Sequence, residues 1–469
     1  MISEFCFTPA TTLAKLIRDR SVSPVDVVQA LLDRIEAVNP IINAYVTVTA
    51  DAALASARQA EQGVVDGDAL GSLHGVPFAV KDLLYTANIR TTAGSRAFAE
   101  FIPSDNAIVV ERLLKAGAIL LGKTNTPEFG FKSTTENALF GATNNPWDVT
   151  RTAGGSSGGA GAATAAGMAS LSVGTDAGGS IRTPASFCGI VGFKPSFGRV
   201  PNGPGFGGGA TLAHAGPMTR TVADAALMLD VMAGVDERDR RSVPTDCERF
   251  SARIDDHNAS LRIGWSLDLG YAAVDPLVER AFMASVARFG EMGWNVAPAA
   301  IAFDDPQSLF NTIIRAENYV FAADIVARHG PLIDPGMRTF TENGADVTAY
   351  EYLCANRERE RLCLRLAELF SDHDLLVTPT LAVAPFVHGQ RPREIAGRAV
   401  AGMSWLSFTY PFNLTGNPAL SVPCGWTESG LPLGIQIIGP RFSDALVLQA
   451  GAALEAIQPW ADRQPLLDG

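Results

Sequence analysis

Two glycine-serine segments lie close together in the chain, GGSSGG from Gly154 to Gly159 and GTDAGGS from Gly174 to Ser180. The first opens an alanine-rich stretch, Ala160 to Ala169, with helical texture, and a helix start presents N–H groups without partners. The second follows Leu171-Ser172-Val173, which reads as a strand, and its glycines permit a tight turn. A serine at the end of such a turn can be held exposed while neighbouring N–H groups converge on one point. That arrangement stabilises the oxyanion of acyl transfer. A serine hydroxyl also needs a base within reach. None of the six histidines (His74, His214, His257, His329, His373, His388) sits in a recognisable triad motif. Nor does a GxSxG elbow surround Ser180, whose context is Gly178-Gly179-Ser180-Ile181-Arg182. Glycine turns carrying serines also bind phosphates or cap helices. GGSSGG is not the GxxxxGK[ST] phosphate loop, because no lysine follows, and Asn145-Pro146-Trp147-Asp148 before it is a turn rather than a strand.

The elements that must position these turns alternate between helix and strand. Ser23-Pro24-Val25-Asp26 offers an N-cap, a proline at the first helical position and an acid in the first turn. Val27, Val28, Leu31, Leu32 and Ile35 then recur at helical spacing. A second helix is expected from Asp51 to Gln62, with a loop from Gly63 to Gly71. His74-Gly75-Val76-Pro77 leads into a short strand, Phe78-Ala79-Val80, ending in Lys81-Asp82. Ala107 to Ala116 reads as a helix, Ala118 to Gly122 as a buried strand, and Leu375-Leu376-Val377 and Leu433 to Ile438 as further strands. With no internal repeat or low-complexity linker, residues 1–469 are expected to form one large α/β domain. Its parts would be an N-terminal helical segment (1–65), a core (73–220) and a variable region (about 300–400).

The block Arg151 to Ser196 closely resembles the signature of the amidase signature family, GGSSGG followed by GTDxGGSIRxPAxxxGxxGxKPS. LHGVPFAVKD (Leu73 to Asp82), GKTNTPEFG (Gly122 to Gly130), NPWD (Asn145 to Asp148) and SFTYPFNLTGNPALSVPCG (Ser407 to Gly425) resemble family landmarks in family order. The fold this implies is a single α/β domain with a mixed, mostly parallel twisted sheet flanked by helices on both faces. The resemblance also implies a Ser-cisSer-Lys triad: Ser180 as nucleophile, Ser156 as bridging serine after a cis peptide bond, and Lys81 as terminal base. The N–H groups of Ala177, Gly178, Gly179 and Ser180 would form the oxyanion hole, and Ser157, Asp176 and Arg182 would support it. Lysine serves as a base only when neutral, and burial favours that form. A serine between them can relay a proton because a hydroxyl both donates and accepts. Lys123, in GKTN, is a rival base by residue type alone, and His74 and Cys188 read as structural.

This chemistry needs neither metal nor cofactor, and the six cysteines (Cys6, Cys188, Cys247, Cys354, Cys363, Cys424) show no metal-ligand spacing. They read as reduced and mostly buried thiols. The formal net charge of −12 repels phosphate backbones and anionic lipid, which argues against nucleic acid and membrane partners. The N-terminus shows no signal-peptide pattern, so a cytoplasmic protein is expected. Within the family a homodimer is the expectation, and the substrate is a small amide. The main alternative is the glutamine-hydrolysing component of a glutamyl-tRNA amidotransferase complex, which grips free glutamine with an arginine and an aspartate. By approximate alignment the arginine is kept as Arg359, whereas Leu406 replaces the aspartate, which points to a more apolar amide. A catalytically inactive scaffold protein is the lesser alternative. Pro201 to Gly209 is expected as a wall near the pocket, and Phe310, Ile314, Tyr319, Phe321 and Tyr350 as pocket lining or, in preference, helix core.

Overall fold

The computed structural model describes residues 4–245, 249–256, 260–301 and 303–467; Cys247 and His257 lie outside them. One sheet of eleven strands runs through the molecule. In chain order they are β1 (Tyr45–Val48), β2 (Pro77–Lys81), β3 (Ile119–Thr124), β4 (Leu171–Asp176), β5 (Val191–Lys194) and β6 (His214–Thr219). The remainder are β7 (Arg262–Trp265), β8 (Asn295–Pro298), β9 (Leu375–Pro379), β10 (Ala419–Trp426) and β11 (Pro432–Ile438). Their spatial order is β1-β3-β2-β4-β6-β5-β10-β11-β9-β7-β8. The expected mixed sheet is present, but its parallel pairs are confined to the flanks, β3-β2-β4 and β9-β7-β8. From β4 across to β9 every pairing is antiparallel. Connection length explains part of this: a five-residue link between β10 and β11 can close only an antiparallel hairpin.

Strand alternation sorts the core onto two faces. Phe78, Val80 and Leu120 join one buried apolar cluster, while Ala79, Ile119 and Leu121 join the other. Lys81, two residues beyond Ala79, therefore leaves the sheet on the second face. The helices of the first half are α1 (Ala10–Arg18), α2 (Pro24–Ile42), α3 (Ala50–Asp66), α4 (Ile108–Lys115), α5 (Gly158–Ala165), α6 (Arg182–Cys188) and α7 (Val222–Met232). Those of the second half are α8 (Pro276–Glu291), α9 (Gln307–His329), α10 (Pro335–Ala345), α11 (Ala349–Asp372), α12 (Pro411–Leu414) and α13 (Asp444–Ile457). Ser23 caps α2 as expected, accepting the Val25 N–H. The loop expected from Gly63 is corrected: α3 continues through Gly63 to Asp66, and Gly67 at φ +77° supplies the left-handed stop. The helix expected over 160–169 instead spans Gly158–Ala165, ending before Gly167 at φ +73°. No helix among the described residues is long and apolar enough to cross a membrane.

Candidate active site

The C-terminal ends of β2 and β4, two adjacent parallel strands, deliver Lys81 and Thr175 to the same place. The GGSS turn before α5 brings Ser156 and Ser157 against them, with a cis Gly155–Ser156 peptide bond. Lys81 is fully buried, and its Nζ lies 2.6 Å from Ser156 Oγ and 3.0 Å from both Ser157 Oγ and Thr175 Oγ1. Ser157 donates its hydroxyl proton to the Thr175 carbonyl at 3.1 Å and accepts the Thr175 N–H, so toward Lys81 it is an acceptor. Burial holds the Lys81 amine well below the ordinary lysine range, and the nearby Asp176 carboxylate offsets this only in part. A neutral amine has two N–H groups and one lone pair. With three hydroxyl neighbours, the lone pair of the neutral form is left for one of them to donate to, and Ser156 is the nearest.

Ser180 sits in the turn between β4 and α6, on the wall of a cavity of about 550 Å³ that Ser156 also lines. Its carbonyl accepts the Ser157 N–H at 3.1 Å, which ties the two serine turns together. Its hydroxyl makes no hydrogen bond to Ser156 in this geometry; catalytic contacts often tighten only when substrate is bound. Ala177, Gly178 and Ser180 keep their N–H groups free of partners among the described residues. Gly179 differs from its expected place among the oxyanion donors: at φ +121° it donates its N–H to Asp176 Oδ1 at 2.7 Å.

Asp176 braces this turn. Its carboxylate accepts the N–H groups of Gly179 and Ile181, two Arg182 bonds at 3.0 Å and the Asn413 amide at 2.8 Å. Burial alone would raise its pKa, but Arg182, Lys194 and Asn413 outweigh that and hold it below the usual carboxylate range. Arg182 is itself buried and reaches on to Thr409, Gln436 and Asn413. Lys123, the rival base, lies elsewhere: it bonds Leu84 O and Thr91 Oγ1 and stands 3.4 Å from Asp82.

The cavity walls come from segments far apart in sequence. Phe129 and Phe131 form one side and Phe310, Ile314 and Met403 another, while Asn202 to Gly208 supply the expected glycine-rich wall. Phe206 docks among Tyr85, Phe98, Phe101 and Phe129. Of the five aromatic and aliphatic candidates, Phe310 and Ile314 line the cavity. Phe321 packs on Phe129, and Tyr319 and Tyr350 are exposed. Arg359 and Leu406 do not line it. Arg359 bonds Thr211 Oγ1, and Leu406 is buried. Sequence reasoning missed Thr175, His214 and Asn413. His214, on the cavity wall, bonds the Leu212 carbonyl and lies 3.3 Å from buried Lys194. Burial and then Lys194 hold it well below the ordinary histidine range, so it is a neutral wall residue. The five described cysteines are free thiols, three of them buried.

The amidase family model matches residues 26–448. An acylamidase of Rhodococcus erythropolis is 39% identical over 466 residues, covering 97% of this chain and 96% of its own. A glutamyl-tRNA(Gln) amidotransferase subunit from Chloroflexus aurantiacus is 38% identical over 475 residues, covering 95% and 96%. The crystal structure of a bacterial aryl acylamidase of the amidase signature enzymes matches with a TM-score of 0.90 at 30% identity, covering 98% of each chain. The chain belongs to the amidase family, the amidase signature enzymes, and it is an amide-hydrolysing enzyme.

Proposed function

We propose that the protein hydrolyses a small, apolar or aryl carboxylic amide through an acyl-enzyme on Ser180. The observation that carries this reading is the 2.6 Å contact of Ser156 with the fully buried Lys81, whose amine burial holds well below the ordinary lysine range, on the wall that also presents Ser180. Ser180 Oγ attacks the amide carbonyl carbon while its proton moves to Ser156 and that of Ser156 to Lys81 Nζ. The N–H groups of Ala177, Gly178 and Ser180 receive the oxyanion. As the C–N bond breaks, the relay returns a proton to the departing ammonia or amine. Water then enters, gives a proton to the same relay and releases the acid from Ser180. Ser157 and the Asp176–Arg182 pair hold the turns and take no proton.

Aromatic and aliphatic walls favour an apolar acyl or amine group. The rival reading, the glutamine-hydrolysing component of an amidotransferase, draws on the relative at 38% identity. It is weakened because Arg359 and Leu406 stand outside the cavity wall, so the expected grip on free glutamine is missing there. An inactive scaffold is disfavoured by the presence of Lys81, Ser156 and Ser180 together. The test is ammonia or amine release from benzamide, a fatty amide, an anilide and glutamine, beside Ser180→Ala and Ser156→Ala. Release from the apolar amides that both substitutions abolish is the expected result. Glutamine as sole substrate would move the assignment to the amidotransferase, and activity surviving in Ser180→Ala would overturn the nucleophile.

A further inference from the structure

The charge of the cavity runs against the charge of the chain. Acidic residues outnumber basic ones by 49 to 37 in the sequence. The cavity wall nevertheless carries three cations, Lys132, Arg241 and Arg391, and a single carboxylate, Asp176. Asp176 is engaged within its own turn by Arg182 and Asn413.

The three cations differ in what holds them. Arg241 places Nε 2.8 Å from Asp239 Oδ1 and donates to the Ala210 carbonyl. Lys132 Nζ lies 2.9 Å from Asp334 and 3.8 Å from Glu136. Arg391 pairs with no carboxylate among the described residues, and its guanidinium reaches only Thr134 Oγ1, at 3.5 Å, the limit of a hydrogen bond. The chain just before it is fixed, since the Phe386 carbonyl accepts the Thr152 N–H at 3.0 Å and the Gln390 N–H reaches the Val387 carbonyl at 3.0 Å. Thr134 also donates to Glu136 Oε1 at 3.1 Å, so Arg391 and Lys132 converge on the same stretch of chain. That stretch crosses the catalytic turn: a Cβ on Gly155 would stand 2.7 Å from Thr134 N and 2.9 Å from Ser133 C. The two cations therefore share the side of the cavity that lies over Ser156. Glu136, the acid beside them, does not line the cavity.

We propose that the amide substrate carries a carboxylate remote from the scissile bond, and that Arg391, with Lys132 beside it, grips that group; this rests on the function proposed above. A guanidinium offers parallel N–H donors that match the two oxygens of a carboxylate. The aromatic and aliphatic walls would then hold the body of the substrate, and the cationic edge its far end. A chain of net charge −12 repels an anion at a distance, so a local cationic edge is what such a substrate needs.

The experiment compares kcat/KM within two matched pairs. The pair para-carbamoylbenzoate and para-methylbenzamide puts the charge on the acyl part, and para-acetamidobenzoate and para-methylacetanilide puts it on the amine part. In one pair the acid is expected to be preferred by about tenfold at low ionic strength, through KM, and added salt should erode that preference. Arg391→Glu should abolish the preference and favour the cationic para-(aminomethyl)benzamide instead, while Arg391→Lys should keep part of it, which a merely structural role would not produce. Arg391 is exposed, so these changes leave the core untouched, and the salt series needs no variant at all. Neutral amides cleaved as well as the acids in both pairs would overturn this proposal and leave the proposed function standing. A preference unaltered by Arg391→Glu would also overturn it. Cleavage of none of these amides would overturn both.

Discussion

Replacing Lys81 by methionine should make the enzyme nearly inactive and, at neutral pH, no less stable. Methionine keeps most of the side-chain volume and removes the amine. On activity, loss of the terminal base of a relay is worth about 10²–10⁴ in kcat/KM, or roughly 3–5 kcal/mol of transition-state stabilisation. On stability, burial holds the Lys81 amine well below its ordinary pKa of 10.5 in the folded chain, whereas the unfolded chain protonates it up to that value. Between the folded and unfolded pKa values the unfolded state binds more protons, so wild-type stability rises with pH across that window. Each unit by which the folded pKa lies below 10.5 costs about 1.4 kcal/mol once the pH is below both values. The opposing loss is one to three bonds to Ser156, Ser157 and Thr175, about 1 kcal/mol each. Ser156 can turn to solvent in the cavity and Ser157 keeps its bonds to Thr175, so Thr175 bears most of it. Urea unfolding of both proteins at pH 7 and at pH 9.5, beside kcat/KM on the preferred amide, measures the two effects together. The stability difference should shift in favour of wild type as pH rises. A pH-independent difference would mean that Lys81 is charged in the fold and cannot act as the base. A variant retaining kcat/KM within tenfold would refute the relay itself.

Four further outcomes are expected. Asp176→Asn leaves Arg182 buried beside a neutral amide and should lower the free energy of unfolding by about 3–5 kcal/mol in denaturant titration. Gly179→Ala places a Cβ 2.5 Å from Thr409 Oγ1 at φ +121°, and should abolish hydrolysis or folding; Thr409→Ser in the same chain should not rescue it, because the backbone conformation remains unfavourable for alanine. Phe310→Ala removes the ring that lies against Gly178, so KM for an aryl amide should rise by about 1–3 kcal/mol equivalent while bulkier acyl groups gain, as a substrate series would record. Burial pushes the Glu455 carboxyl up to about 7 from 4.5, so its contribution to stability is full below pH 4.5 and lost as pH rises through 7. Glu455→Gln keeps an acceptor for the Val222 N–H and should therefore be the more stable protein at pH 8, by up to about 3 kcal/mol, and not at pH 4.5.

What could be read in the sequence was whatever is local. Ser23 as a cap, the β2 strand ending at Lys81 and the glycine turn before Ser180 each depend on a few neighbouring residues, and each has its expected place. The grouping of Lys81 with Ser156 and Ser180 came from resemblance, because nothing within ten residues of Lys81 says what its amine will meet. The structure supplies the physical link: β2 and β4 are parallel neighbours, so their C-terminal ends coincide, and the turn into α5 closes over both. Thr175 went unnoticed since a threonine inside a strand is ordinary; only pairing with β2 turns it into a lysine partner. Arg359 shows the opposite failure. Its type matched a substrate-gripping role, yet on α11 it reaches Thr211, which Glu317 also holds, and so it fastens the end of the glycine-rich wall to the helices. A residue type carries its chemistry anywhere, but its function depends on which strand or helix stands opposite. That is why the walls from 300 to 410, built of helices whose packing partners lie far away in sequence, were the least legible part of the site.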